Sequence, residues 1–135
     1  MGELKILIVD DHEAVRRNLR ALLRDRSGWV VCAEAADGLE AVEKTRLLRP
    51  DVVVMDVSMP RMDGIAATRI IRQHVPEADV VIISQNDPAV VRRQAADVDA
   101  YGFVSKERLG FALVPLIDRI VERRQLAFSD GESRL

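Results

Sequence analysis

The chain has 135 residues, 48% of them hydrophobic and 31% charged, and a formal net charge of −2. That length suits one compact domain with a single core. The charge balance argues against a nucleic-acid binder, and Arg16-Arg17, Arg92-Arg93 and Arg123-Arg124 sit among acids, as solvated helix faces do.

No apolar stretch nears the ~20 residues of a membrane span. The opening MGELKILIVDD lacks a signal-peptide layout, and Ile6 argues against myristoylation at Gly2. Cys32 is the single cysteine, so an internal disulfide is excluded and a reduced, cytoplasmic setting is expected. Lying in WVVCAEA, Cys32 reads as a small buried apolar residue.

Five apolar runs alternate with amphipathic stretches. Strands are expected over Lys5–Val9, Trp29–Ala35, Val52–Asp56, Val80–Ser84 and Ala100–Ser105. ILIV, VVVM and VVII are continuous rather than alternating, as in parallel strands covered on both faces. The first helix carries Val15, Leu19 and Leu22 on one face. The second opens after Asp37-Gly38, shows Leu39, Val42 and Leu47, and stops at Arg49-Pro50. A third follows Asp63-Gly64, with Ile65, Ile70 and Ile71, and ends near His74. Asp87-Pro88 announces the fourth, as N-cap and first helical residue. The fifth shows Leu113, Leu116, Ile117, Ile120 and Val121. Pro115 would kink a helix interior, so this helix is expected to begin late, near Gly110–Ala112. Residues 1–125 form the expected domain, and 126–135 a frayed polar tail or linker stub.

This (βα)5 alternation implies an α/β fold with a parallel sheet and helices on both faces. Sites in such sheets form beyond the carboxyl ends of the strands. The residues there are Asp10-Asp11, Asp56, Ser84 and Lys106. Three carboxylates on one sheet edge repel each other and call for a cation, and an all-oxygen set suits Mg2+. One of Asp10 and Asp11 is also expected to cap the first helix. An aspartate can be a phosphoryl acceptor if a cation and a lysine neutralise the charge. Ser84 can donate to an anionic oxygen or cap a turn. His12 reads as exposed, since Mg2+ does not seek imidazole.

The segments IVDDH, VVVMDVSMPRMDG, VIIS and GFVSK resemble the receiver domain of two-component response regulators, the CheY-like family, across about residues 4–124. The resemblance implies a doubly wound, flavodoxin-like sheet of strand order 2-1-3-4-5. It implies that Asp56 is the phosphoacceptor and that Asp10, Asp11, Asp56 and the Ser58 backbone carbonyl hold Mg2+. Ser84 matches the switch hydroxyl, Lys106 the site lysine and Phe103 the aromatic switch, although Phe103 also reads as plain core and Tyr101 as a more exposed ring. The implied partner is a sensor histidine kinase. The implied chemistry is self-phosphorylation and autodephosphorylation rather than an enzyme's turnover.

The stretch GLEAVEKTRLLRPDVVVMDVSMPRMDGIAATRIIRQ resembles the subfamily followed by a LuxR-type helix-turn-helix, which implies transcription control through a domain outside this chain. Homodimer contacts through the fourth and fifth or the first and fifth helices are open. Departures are Asp97-Val98-Asp99-Ala100 at a turn that often holds glycine, Gln85-Asn86, Glu107 and Pro115. Aspartate tolerates the left-handed backbone such a turn needs. Two rivals remain: a phosphorylation-independent interaction module, and a small phosphohydrolase, which the adjacency of Asp10 and Asp11 disfavours.

Overall fold

The computed structural model describes the backbone of residues 2–133 and the side chains of 2–127. Five strands and five helices alternate: β1 Leu4–Val9, α1 Glu13–Arg24, β2 Trp29–Ala35, α2 Gly38–Leu48, β3 Val52–Asp56, α3 Gly64–His74, β4 Asp79–Ser84, α4 Pro88–Asp97, β5 Gly102–Ser105 and α5 Leu109–Ser133. The strands are parallel in the order β2-β1-β3-β4-β5. This is the doubly wound architecture expected from the sequence. Among the described residues, no helix is long and apolar enough to cross a membrane.

Strand alternation splits the core into two layers. Leu7, Val9, Val53, Met55 and Ile82 pack under α2, α3 and α4 through Val42, Ile71 and Val91. Ile6, Ile8, Val54, Val81 and Ile83 pack under α1 and α5 through Leu19, Leu113 and Ile117. β3 and β4 are buried throughout, which explains their unbroken apolar runs, while the edge strands β2 and β5 are mostly half-buried. Cys32 is half-buried, not enclosed, and is the extra residue of a bulge where Ile6 pairs with Val31 and Leu7 with Ala33. Such a bulge interrupts an otherwise open sheet edge.

Asp37, Asp63 and Asp87 cap α2, α3 and α4 by accepting from Glu40, Ala66 and Ala89 N–H groups. Asp99 takes φ 58, so aspartate supplies the left-handed turn before β5. Three local expectations fail. On α2, Leu39 and Leu47 face solvent, and the small residues Gly38, Ala41 and Thr45 join Val42 on the buried side. α5 begins at Leu109, directly after a 3-10 turn at Lys106–Arg108, so Pro115 lies inside it. The Phe111 carbonyl thereby loses its donor, but Phe111 and Pro115 are both exposed, where water replaces the lost bond. α5 also continues over residues 126–133, expected as frayed tail, while 134–135 lie outside the described residues.

Candidate functional site

The central strands place the acids. β1 and β3 are neighbours with Val9 opposite Met55, so Asp10 and Asp56 leave the sheet side by side. On β4 and β5, Ser84 pairs with Ser105, which brings Lys106 to the same edge. Two close backbone approaches hold the loop after Asp56. A Cβ on Gly64 would lie 1.8 Å from the Asp56 carbonyl oxygen, and one on Gly38 would lie 2.3 Å from that of Met62. Any side chain at either position would push the loop off its seat. The Gly64 N–H donates to the Val57 carbonyl at 2.8 Å, and the Gly38 N–H to the Met62 carbonyl at 3.0 Å.

Lys106 joins the two central carboxylates. Its Nζ lies 2.7 Å from Asp10 Oδ2 and 3.1 Å from Asp56 Oδ1. Asp10 is fully buried and Asp56 is 3% exposed, so these charges are largely removed from water. Burial, then the neighbouring Asp10 charge, pushes the Asp56 carboxyl above its ordinary value, with Lys106 pulling the other way. Burial also opposes the Lys106 charge, but Asp10 and Asp56 overcome it and hold the ammonium above its ordinary value.

One lysine does not satisfy three carboxylates. The 2.7 Å contact from Lys106 to Asp10 is a charge-assisted pairing of a buried carboxylate with an ammonium. Lys106 is not paired with Asp11, whose buried Oδ1 makes no hydrogen bond among the described residues. An unpaired buried acceptor of this kind fits a hard divalent cation. The carboxylate and imidazole atoms of Asp10, Asp11 and His12 lie within 4.8 Å of one another. Asp56 is not in that cluster; its Oδ1 lies 3.1 Å from Lys106 Nζ.

The other expected residues are placed as follows. Ser84 is 2% exposed, and its Oγ accepts the Asn86 N–H at 2.9 Å, the turn-capping geometry. Ser58 is exposed just beyond Asp56, and its Oγ accepts from Asn86 Nδ2 at 3.5 Å. Phe103 is half-buried against the α2–α3–α4 layer. It also lines a groove of about 550 Å³ with Arg92, Arg108, Pro115, Leu116 and Arg119. Tyr101 is half-buried on the opposite layer, with the Arg123 guanidinium 5.0 Å from its ring centre.

Neither Asp10 nor Asp11 caps α1. The N-cap is His12, whose N–H donates to Asp10 Oδ1 at 2.9 Å. His12 is exposed as expected, yet its ring touches both acids, which its residue type alone does not reveal. Arg16 was read as a solvated face; its side chain is only 15% exposed. It donates to the Asp10 carbonyl at 2.7 Å and to Glu34 at 2.9 Å, and so ties the acidic loop to β2.

A family model described as the response regulator receiver domain matches residues 6–117. The chain is 30% identical over 121 residues to the transcriptional regulatory protein DegU of Brevibacillus brevis, covering 90% of this chain and 51% of DegU. It spans about half or less of the length of the curated relatives it matches. A LuxR-family two-component response regulator from Aurantimonas sp. SI85-9A1 superimposes with a TM-score of 0.84 at 36% identity, covering 98% of this chain and 99% of the other. The CheX–CheY–BeF3–Mg complex from Borrelia burgdorferi gives 0.81 at 26% identity, covering 89% and 90%.

Proposed function

The chain belongs to the response regulator receiver domain family, and on that premise we propose that Asp56 accepts a phosphoryl group from a phosphohistidine of a sensor kinase. The observation that carries this is the Lys106 contact to both Asp10 and Asp56 at one sheet edge, beside the unsatisfied buried Oδ1 of Asp11. An Asp56 oxygen forms the new bond to phosphorus as the bond from phosphorus to the histidine nitrogen breaks. Lys106 offsets charge gathering on the phosphoryl oxygens, and buried Asp10 keeps that ammonium in place.

Asp10, Asp11, Asp56 and the Ser58 carbonyl would hold Mg2+, as the magnesium in the Borrelia burgdorferi complex supports. Bound there, Mg2+ supplies charge neutralisation and alignment of the phosphoryl oxygens. Water later cleaves the acyl phosphate, restoring the Asp56 carboxylate and releasing inorganic phosphate, so the chemistry is self-phosphorylation and autodephosphorylation.

Ser84 then gives up the Asn86 N–H and donates to the phosphoryl oxygen. Phe103 shifts within its groove, altering the surface of α4, β5 and α5. That surface, or the one shared by α1 and α5, would meet a second copy or an effector domain. The kinship with DegU and with a LuxR-family regulator supports transcription control by a domain beyond this chain, in the cytoplasm.

The test is intact mass after incubation with Mg2+ and a small phosphodonor. One phosphoryl adduct is expected on the native chain and none on Asp56→Asn. An adduct on Asp56→Asn, or none on either, removes the reading.

A further inference from the structure

Resting on the reading of the acidic edge as a cation site, we propose that His12 is a further ligand arm of that site. It would tune the site toward borderline transition ions such as Ni2+, which take imidazole, over Mg2+, which does not.

Nδ1 of His12 lies 3.2 Å from Asp10 Oδ1 and 3.1 Å from Asp11 Oδ1. Adjacent ligands in an octahedron with ~2.1 Å bonds stand ~3 Å apart. The three atoms therefore have the spacing of one face of a coordination shell. The backbone sets this arrangement. His12 is an extended N-cap with φ −101 and ψ 118, and its N–H is anchored on Asp10 Oδ1 at 2.9 Å. The ring therefore stands over the acidic pair instead of following the helix. Asp11 Oδ1, a buried atom that makes no hydrogen bond among the described residues, points independently to a cation on this edge.

The donor chemistry then separates the ions. Carboxylates alone suit Mg2+, whereas a set with one imidazole nitrogen suits Ni2+, Co2+ and Zn2+. The ring is 68% exposed, so it can swing aside at little cost when Mg2+ and its waters occupy the acids. The competing role is as a hydrogen-bond partner of Asp10 Oδ1, which a neutral ring keeps above the imidazole range and which favours neither ion. Its loss would then change the affinity for Ni2+ and Mg2+ alike.

The experiment is calorimetric titration of the full, untagged, unphosphorylated chain with Ni2+ and, separately, with Mg2+, at a fixed pH above the imidazole range. Native protein is compared with His12→Gln and with His74→Gln, since His74 is the other histidine and lies exposed at the end of α3. Competition between the two ions shows whether they share the site. The expected result is a Ni2+ affinity about 10- to 100-fold weaker in His12→Gln. Mg2+ affinity should move by less than about twofold, His74→Gln should match native protein, and Mg2+ should displace Ni2+. The inference is overturned if His12→Gln shifts both ions equally, or if Ni2+ binding is indifferent to His12. If Mg2+ still binds in either case, the cation-site reading stands alone. If neither ion binds the native chain, both readings fall.

Discussion

The two ends of the central strands carry buried carboxylates and treat them in opposite ways. At the amino end of β3 and β4, Asp51 and Asp79 are matched by donors. Asp79 contacts Arg123, and Arg124 at 3.0 Å; Asp51 accepts from Arg124 at 3.2 Å and from the Lys5 N–H at 2.8 Å. Arg124 also donates to the Asp51 and Glu77 carbonyls, and one donor of the cluster, Arg124 Nε, has no partner. At the carboxyl end, Asp10 and Asp56 share Lys106, while Asp11 makes no ion pair with it and keeps a buried Oδ1 without a hydrogen bond among the described residues. The first arrangement fastens α5 across the foot of the sheet. The second leaves electrostatic strain in the ligand-free protein, which is what a site reserved for a cation and an incoming anion requires.

That contrast makes the largest effect a chemical one. Lys106→Ala is expected to slow phosphoryl uptake on the order of 100- to 1,000-fold, the usual cost of losing one preorganised stabilising group. It also leaves Asp10 and Asp56 without a counter-charge. Time-resolved intact mass under a fixed phosphodonor concentration checks it. A rate within a few-fold of native would mean that Lys106 serves only as a counter-ion.

Next comes the foot of the sheet. Asp79→Ala strands two arginines that are partly exposed, with side chains 51% and 26% accessible. Solvent screening therefore holds the loss below that of a fully buried pair, at about 1–2 kcal/mol of unfolding free energy in urea. Phosphoryl uptake should stay within about twofold of native. A large loss of uptake with intact stability would show that the two ends are coupled rather than independent.

The sequence made the two ends legible to different degrees. Asp10, Asp56 and Lys106 were readable because each closes an apolar run, and strands of a parallel sheet deliver their ends to one edge. The arginine clasp was not readable, because its partners are far apart along the chain: Arg124 reaches Asp51 across 73 positions. Arg16 was misjudged for a related reason, and the contacts that His12 makes while exposed as expected were missed. Polarity suggested solvent, while the contacts depend on a helix start that places both over Asp10. On α2, large apolar residues misled because Ala41 and Thr45 bury themselves instead, Thr45 returning its hydroxyl to the Ala41 carbonyl at 2.7 Å. For α5, Pro115 was weighed against an interior position without allowing for an exposed helix face, where a lost backbone bond costs less.

The smallest expected effect is also the most direct measure of strain at the carboxyl end. In metal-free protein, Asp56→Asn removes a buried charge that Lys106 only partly offsets, so it should raise stability by about 1 kcal/mol near neutral pH. The pH dependence fixes the sign. Asp56 sits above its ordinary value of 3.8, so the folded state holds its proton more tightly than the unfolded chain does. Stability from this group therefore falls as pH climbs from 3.8 through the raised folded value, and levels off beyond it. Lys106, raised above 10.5, acts at the other extreme: its contribution is intact below that value and fades only as pH rises through its folded value. Urea unfolding of native and Asp56→Asn protein across the acidic range should give curves that diverge through the Asp56 window and run parallel from there to the lysine range. Adding Mg2+ should narrow the gap by stabilising the native chain more than Asp56→Asn, which lacks one of the four ligands, because binding to the folded state raises its stability by mass action. Curves that never diverge would mean that the carboxyl end is as well satisfied as the foot.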